Sequence, residues 1–370
     1  MNKLFIVHYY PIDYFPPVMN LIDALEGKTE IYVSTLRKSN TLVEYNGKRA
    51  RIYRQFKENA KRGSLFVLAQ YVLFTLFTLI QFIRQKPDIV LYYESISAFP
   101  AYLYKRFFSR KVKLCIHYHE YMTPSEYDRP GMRLSKANHQ IEISYLYQKA
   151  MWISQTNEYR RKLFMKDYPE IPTASCNLLP NYPPLQWFRQ SKTHNNDTLK
   201  CVYVGSLSLT DTYVLEFCQW ITKQQGKVRF DIYSFNFHKN TLDAIEKLQC
   251  PYIEFHKEGI KYSEIPDLFD LYDVGVLLYK AKTMNVKYCE TNKFYEYLIC
   301  GLDVWYPKEM TLLHEMDKRM FAPHIVEMDI TQRLFPHIEL TPRKVDNSSY
   351  EKFSERVYES FMQFLVKQQD

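Results

Sequence analysis

At 370 residues, 46% hydrophobic and 24% charged, the chain exceeds one comfortable core and is too balanced for a disordered or fibrous protein, so two globular domains are expected. Only nine Gly occur and none form a G-x-G-x-x-G loop; the seven Cys are scattered without a C-x-x-C pair, which argues for reduced thiols rather than a disulfide framework or structural zinc. The net charge of +8 is uneven, with 29 Lys and Arg against 16 Asp and Glu in residues 1–200 and 20 against 25 thereafter, as expected of two domains that meet different partners.

In chain order, "KLFIVHYY" (3–10) reads as a first strand rather than a signal peptide, because one Lys and no small-residue cleavage site accompany it. "PPVMNLIDALEG" (16–27) follows as a helix with Pro at its start and Gly at its end. Strands are predicted at 30–36, 51–56, 87–94 and 112–120, with helices at 64–84 and near 97–108 between them. A helical tract is predicted over 138–167. The Pro-rich "ASCNLLPNYPPLQWF" (174–188) and polar "RQSKTHNND" read as a linker. A second series gives strands at 199–209, 228–235, 252–259, 274–280 and 302–307. Helices fall near 212–225, 240–248 and 264–273, and from about 291. After the cap-like "DNSSY", helical spacing of Tyr350, Phe353, Val357, Phe361 and Phe364/Leu365 predicts a last helix. The alternation predicts two open α/β domains with mostly parallel sheets and a cleft between them.

Within "CETNKFYEYLICGLDVWYP" (289–307), Lys293 and Glu296 lie three residues apart and share a helix face. With Lys293 at zero on a helical wheel, Glu296 falls at about 300° and Tyr297 at about 40°. Phe294 and Leu298, at about 100° and 140°, form the expected packing face, so the two charges need not enter the core. A helix start at the carboxyl end of a parallel strand attracts phosphate. A Lys there opposes the helix dipole unless an anion compensates, and a Glu one turn on suits bidentate acceptance from ribose hydroxyls. A solvated i,i+3 ion pair is the alternative.

"TNKFYEYLICGLDVWYP" resembles the P-N-K-L-F-E-Y-L-A-C-G-L-P-V element of GT-B glycosyltransferases, particularly the family-4 (group 1) type. "YVGSLS" (203–208) and "IEFHKEGIKYSEIPDLFDLYDVGVLLY" (253–279) resemble further stretches of that family, and "IHYHEY" (116–121), "SQTNEYRRKLF" (154–164) and "LLPNYPP" (178–184) fall in family order. The resemblance implies a GT-B fold of two Rossmann-like domains facing a cleft. It implies Glu296 on the donor ribose, Asn292, Lys293 and the helix start on the diphosphate, and Gly205–Ser206 as the phosphate-side loop. His256, Lys257, Glu258 and Gly259 would line the base pocket, and His119–Glu120 would face the transferred sugar as the catalytic element. His8, Tyr279 and Tyr288 are further candidate substrate contacts. The sequence departs from the family pattern at Tyr288, where an acid is expected, at Ser206, where a basic residue often stands, and at Asp303, where Pro follows "CGL".

His117, His119 and Glu120 supply too few ligands for a metal, and no D-x-D or H-E-x-x-H occurs, so no metal is expected. "SLFVLAQYVLFTLFTLIQFI" (64–83) is long enough to cross a bilayer. Gln70, Thr75, Thr78 and Gln81 and its place between two strands argue instead for a crossover helix, either a plain core helix or one partly sunk in an interface. Lys48, Arg49, Arg51, Arg54, Lys57, Lys61 and Arg62 precede it, Arg84 and Lys86 follow, and "YLYKRFFSRKVK" (102–113) adds more, a pattern suited to an anionic membrane surface.

The expectation is therefore a cytoplasmic glycosyltransferase, in the bulk cytoplasm or peripheral at the inner membrane face, using a UDP- or GDP-linked sugar as donor substrate and no other cofactor. The acceptor is a glycan or lipid-linked precursor of a cell-surface polysaccharide. Domains are expected at 1–182 (acceptor side), 183–345 (nucleotide-sugar side) and 346–370 (a helix returning to the first). The alternatives are a sugar-nucleotide epimerase or hydrolase of the same fold and a non-catalytic nucleotide-sugar binder. Nucleic acid is not an expected partner, because no recognisable module accompanies the basic charge.

Overall fold

The computed structural model describes residues 2–38, 44–58, 64–189, 191–194, 197–317, 323–338, 343–347 and 350–367. Apolar strands alternating with helices build two units, one of residues 1–180 with 354–370, the other of residues 181–353. In the first, β1 (Lys3–His8), β2 (Glu30–Arg37), β3 (Arg51–Lys57), β4 (Ile89–Tyr93), β5 (Lys113–Tyr118), β6 (Ala150–Gln155) and β7 (Cys176–Leu178) form one sheet in the order β3-β2-β1-β4-β5-β6-β7. Every pairing is parallel. Successive residues of β1 face opposite cores: Phe5 and Val7 pack with the 64–85 helix, Leu4 and Ile6 with the 16–25 helix. The last helix, Ser354–Lys367, closes that second core. Its Phe361 meets Trp152 edge-on with ring centres 5.2 Å apart, and Tyr358 Oη donates to the Pro17 carbonyl at 2.8 Å.

The second unit carries a short antiparallel pair, β8 (Ser191–His194) with β15 (Arg343–Asp346). Its main sheet contains β9 (Leu199–Val204), β10 (Val228–Tyr233), β11 (Ile253–His256), β12 (Val274–Val276), β13 (Asp303–Pro307) and β14 (Ile325–Met328), ordered β11-β10-β9-β12-β13-β14 and parallel throughout. In each sheet the strand order reverses once, between β1 and β4 and between β9 and β12. Open parallel sheets hold ligands outside the carboxyl ends of such strands.

Several expected boundaries move. The helical tract 138–167 is broken by β6: Ile153 and Trp152 each fill an opposite core, a gain that overrides the helical flanks. The expected linker contains β7 and β8, and β14 is an additional strand. The last helix begins at Ser354, leaving Tyr350 and Phe353 to pack in the second unit, while Ser348 and Ser349 lie outside the described residues.

Candidate functional site

In the second unit the 292–299 helix is docked by one aromatic side chain. Tyr297 lies against Gly275 of β12, where an added Cβ would fall 2.1 Å from the ring, and its Oη accepts from the Val204 N–H at 3.3 Å. Gly275 therefore lets the helix approach, and the tyrosine hydroxyl pins the helix to the end of β9. Thr291 caps the start, its Oγ1 accepting from the Phe294 N–H at 3.2 Å. Lys293 Nζ donates to Glu296 Oε2; Glu296 is 2% exposed and Lys293 18%.

That burial corrects the helical-wheel expectation. Residues 294–299 are all buried, because the sheet covers one side and chain segments before and after cover the other. Tyr182 stacks edge-on against Tyr295 at 4.5 Å, Lys352 sits 5.1 Å over the Tyr295 ring, and Asn347 donates to the Leu298 and Ile299 carbonyls at 2.9 and 3.0 Å. The pair is a sequestered one rather than a solvated i,i+3 contact.

Around the carboxyl ends of β9 and β12, Gly205 is half-buried and Ser206 exposed, with Tyr203 Oη donating to the Ser206 carbonyl at 2.8 Å and Asn236 donating to Ser206 Oγ at 3.1 Å. Tyr279 bridges to Thr212, and Lys280 Nζ donates to the Leu209 carbonyl at 2.8 Å, so the loops after the two strands are bound together. Tyr288 ends the short 284–287 turn, half-buried. His256 at the end of β11 lies flat on Tyr233, ring centres 4.1 Å apart. The turn after it closes at Gly259, whose φ of +64° and 2.9 Å approach to Phe235 call for glycine. Lys257 pairs with Glu246 at 3.0 Å, and Glu258 is exposed. Among the described residues, one group could hold a metal, Asp231, Glu254 and His256, with ligand atoms within 4.8 Å of one another; Asp231 already accepts from Tyr272 Oη at 2.6 Å.

In the first unit the ends of β1, β4 and β5 gather His8, Tyr93, Glu94, His117, His119 and, from the 12–16 turn, Phe15. His119 is stacked between Phe15 and Tyr93, at 5.4 and 4.9 Å, with His8 5.8 Å away. His8 Nδ1 bonds the Tyr10 carbonyl at 2.7 Å, and its buried Nε2 has no hydrogen-bond partner among the described residues. Burial lowers the His8 pKa to about 4. Burial, with His8 and Arg160 nearby, lowers His117 to about 3, so both are neutral at pH 7.

Glu94 is the last residue of the predicted 87–94 strand, and nothing in the sequence marks it as a site residue. Its φ of 60° and ψ of 153° belong to a region that is essentially glycine's, and such strain gathers at functional sites. Its Oε1 accepts the backbone N–H groups of His119 (2.6 Å) and Glu120 (3.2 Å), and Arg160 donates to the His119 carbonyl at 2.7 Å. Burial and the Glu120 carboxylate push the Glu94 carboxyl up to about 8, outweighing those two N–H groups. A carboxyl that keeps its proton near neutral pH can act as a general acid. Only the backbone geometry could have flagged it; in the sequence it is an ordinary Glu after an apolar run.

No protein-family model and no curated sequence matches the chain. Its two parallel α/β units are those of the GT-B fold, as solved structures of GT-B glycosyltransferases show. Among these, Anabaena HepE, solved with UDP and glucose, is 11% identical over 100% of this chain and 99% of its own, with a TM-score of 0.61. Sucrose-phosphate synthase from Thermosynechococcus elongatus is 10% identical over 83% of this chain and 81% of its own (TM-score 0.58). A UDP-N-acetylglucosamine 2-epimerase is 11% identical over 99% and 88%, at 0.56. At these identities the likeness is one of fold.

Proposed function

We propose that the protein is a family-4-type glycosyltransferase that moves a sugar from a UDP- or GDP-linked donor to a glycan or lipid-linked acceptor of a cell-surface polysaccharide, without a metal. The observation that carries this reading is the Lys293–Glu296 pair, sequestered in the first turns of a Thr291-capped helix beside β9 and β12. The first-turn N–H groups that Thr291 leaves uncapped and the Lys293 ammonium suit a diphosphate, and Glu296 suits ribose hydroxyls. The His256–Gly259 turn would take the base. Transfer breaks the bond from the sugar's anomeric carbon to the phosphate oxygen and forms one to the acceptor oxygen, whose hydroxyl proton passes to the Glu120 carboxylate. The leaving diphosphate gains charge, which prearranged donors stabilise. The half-buried Phe15 ring, which caps the buried His119–Tyr93 stack, suits a sugar ring, with Glu120 and Glu94 as acids beside it. The neighbour solved with UDP and glucose supports the donor class.

A thermal-shift panel of UDP, GDP, ADP, CMP and TDP tests the reading. One of them should raise Tm, by the equivalent of about 2.7 kcal/mol at a hundredfold excess over Kd. No shift from any would overturn it. The epimerase reading is favoured by the two adjacent acids, Glu94 and Glu120, since moving a sugar proton needs such groups, and by the epimerase neighbour. Donor incubated without acceptor separates the two: epimerised donor supports that reading, slow hydrolysis supports the transferase, and unchanged donor with binding supports a non-catalytic binder.

A further inference from the structure

The 64–85 helix turns Tyr71, Phe74 and Phe82 into the core, but the rest of its surface is inverted. Its polar residues Gln70, Thr75, Thr78 and Gln81 are all buried, while Leu68, Val72, Leu73, Leu76, Ile80 and Ile83 are each 42–50% exposed. Polar partners hold this orientation: Gln70 donates to the Lys57 carbonyl at 2.8 Å, and Thr78 and Ser34 share a 2.7 Å hydroxyl contact. Rolling the helix to hide its leucines would break those bonds. The outward strip from Leu65 to Ile83 runs roughly 27 Å at 1.5 Å per residue, and contiguous exposed apolar surface of this kind marks interaction sites.

The helix is also long and apolar enough to cross a bilayer. A span is incompatible with its role, because it is the crossover between β3 and β4 and its inward polar side chains are bonded to the sheet unit. What it can do is lie along a surface.

At its carboxyl end the surroundings become basic and aromatic together. Arg84 and Lys86 are exposed, and the turn before β5 presents Phe107 and Phe108, 67% and 56% exposed, among Arg106, Arg110 and Lys111. Between them opens a cavity of about 550 Å³ lined by Ile83, Tyr104 and Phe108 on one hand and by Lys86, Lys111 and Lys113 on the other. Asp88 also lines it but accepts the Lys3 backbone N–H at 2.8 Å. Among the described residues, neither Lys86 nor Lys111 has a carboxylate within ion-pair distance. The cavity lies at the amino ends of β1, β4 and β5, whose first residues are Lys3, Ile89 and Lys113, so it is on the opposite edge of the sheet from His8 and Glu94. Lys61 and Arg62, expected to add to the rim, lie outside the described residues.

We propose that this face is a docking surface for an anionic phospholipid bilayer, with the 64–85 helix and Phe107–Phe108 in the interfacial layer and a lipid phosphate in the lysine-lined cavity. Charge selects this occupant: a second copy would bring the same basic rim against itself, whereas lipid phosphates complement it. The proposal does not depend on the transferase reading, because it uses no residue of the carboxyl edges.

The test is co-sedimentation of the full chain with phosphatidylcholine vesicles and with vesicles doped with phosphatidylglycerol. Binding should favour the anionic vesicles at least tenfold and weaken with salt. Lys86→Gln and Lys111→Gln should each cost about fivefold, and Leu73→Ser with Leu76→Ser should abolish binding while the thermal melt confirms folding. Indifference of the wild type to anionic lipid, or of binding to all these substitutions, overturns the proposal. So does a dimer that ignores vesicles and that Leu73→Ser dissolves, which would assign the face to a second copy.

Discussion

Two helices of this protein break the ordinary rule of apolar inside and polar outside, in opposite directions. The 292–299 helix buries a charged pair, Lys293 and Glu296; the 64–85 helix buries Gln70, Thr75, Thr78 and Gln81 and leaves most of its leucines in solvent. Both run against their own patterning, and such breaks gather where a sequence answers to function as well as folding. The first reads as a site that waits for a polar ligand, the second as a surface that waits for an apolar one.

The most forceful way to break this comparison is to remove Glu296. Glu296→Ala leaves the Lys293 ammonium half-buried without its carboxylate; we expect a loss of about 3 kcal/mol, the low end for a broken buried pair because Lys293 reaches solvent. Replacing both, with Lys293→Met and Glu296→Leu, should recover most of that stability in a urea melt and still bind no nucleotide. If the double variant binds UDP or GDP as the wild type does, the pair is structural and the donor site lies elsewhere. Next in size is Gly275→Ala, whose Cβ would meet the Tyr297 ring at 2.1 Å. An expected cost of about 2 kcal/mol should accompany weaker nucleotide binding, because the helix start shifts with the ring. Unchanged binding at reduced stability would separate helix docking from ligand affinity.

Much of this was legible before the structure. Strands β1 to β5 and β9 to β13 announce themselves as short apolar runs between helical stretches, and the helix start at Thr291–Asn292 by its cap. What was hidden depends on tertiary neighbours. "AMWISQ" has no turn residue before it to separate it from helix; the Asn157 cap behind it is the one local signal, and the cores receiving Ile153 and Trp152 make it a strand. The 64–85 helix is apolar on nearly every side of a wheel, so which side faces the sheet was decided by Ser34, the Lys57 carbonyl and the core that receives Tyr71, Phe74 and Phe82. Glu296 reads as a surface residue until Tyr182, Asn347 and Lys352 close over its helix.

Glu94 extends the comparison to a single residue. Its raised pKa means that the folded protein holds a proton that the unfolded chain releases near the ordinary value of 4.5. Between about pH 4.5 and about pH 8 the folded state therefore binds more protons, and the stability of the wild type falls with rising pH over that window. Glu94→Gln keeps an acceptor for the His119 and Glu120 N–H groups but cannot ionise. Its Tm should rise relative to the wild type as pH increases through the window, then hold a constant difference above about pH 8. Parallel Tm curves for the two proteins would show that Glu94 ionises normally.

The smallest effect sharpens the contrast most cleanly. Leu65 is 81% exposed, so exchanging it for serine removes little buried surface, and the stability change should stay within about 0.5 kcal/mol. Thr78→Val, on the hidden side of the same helix, leaves the Ser34 hydroxyl without that partner and should cost about 1 kcal/mol. For an ordinary amphipathic helix the order is reversed, with leucines expensive to remove and polar residues cheap. Urea melts of the two variants therefore read the orientation of the helix directly. A costlier Leu65→Ser would mean that the apolar strip faces protein in solution, and the surface would lose its claim to any outside partner.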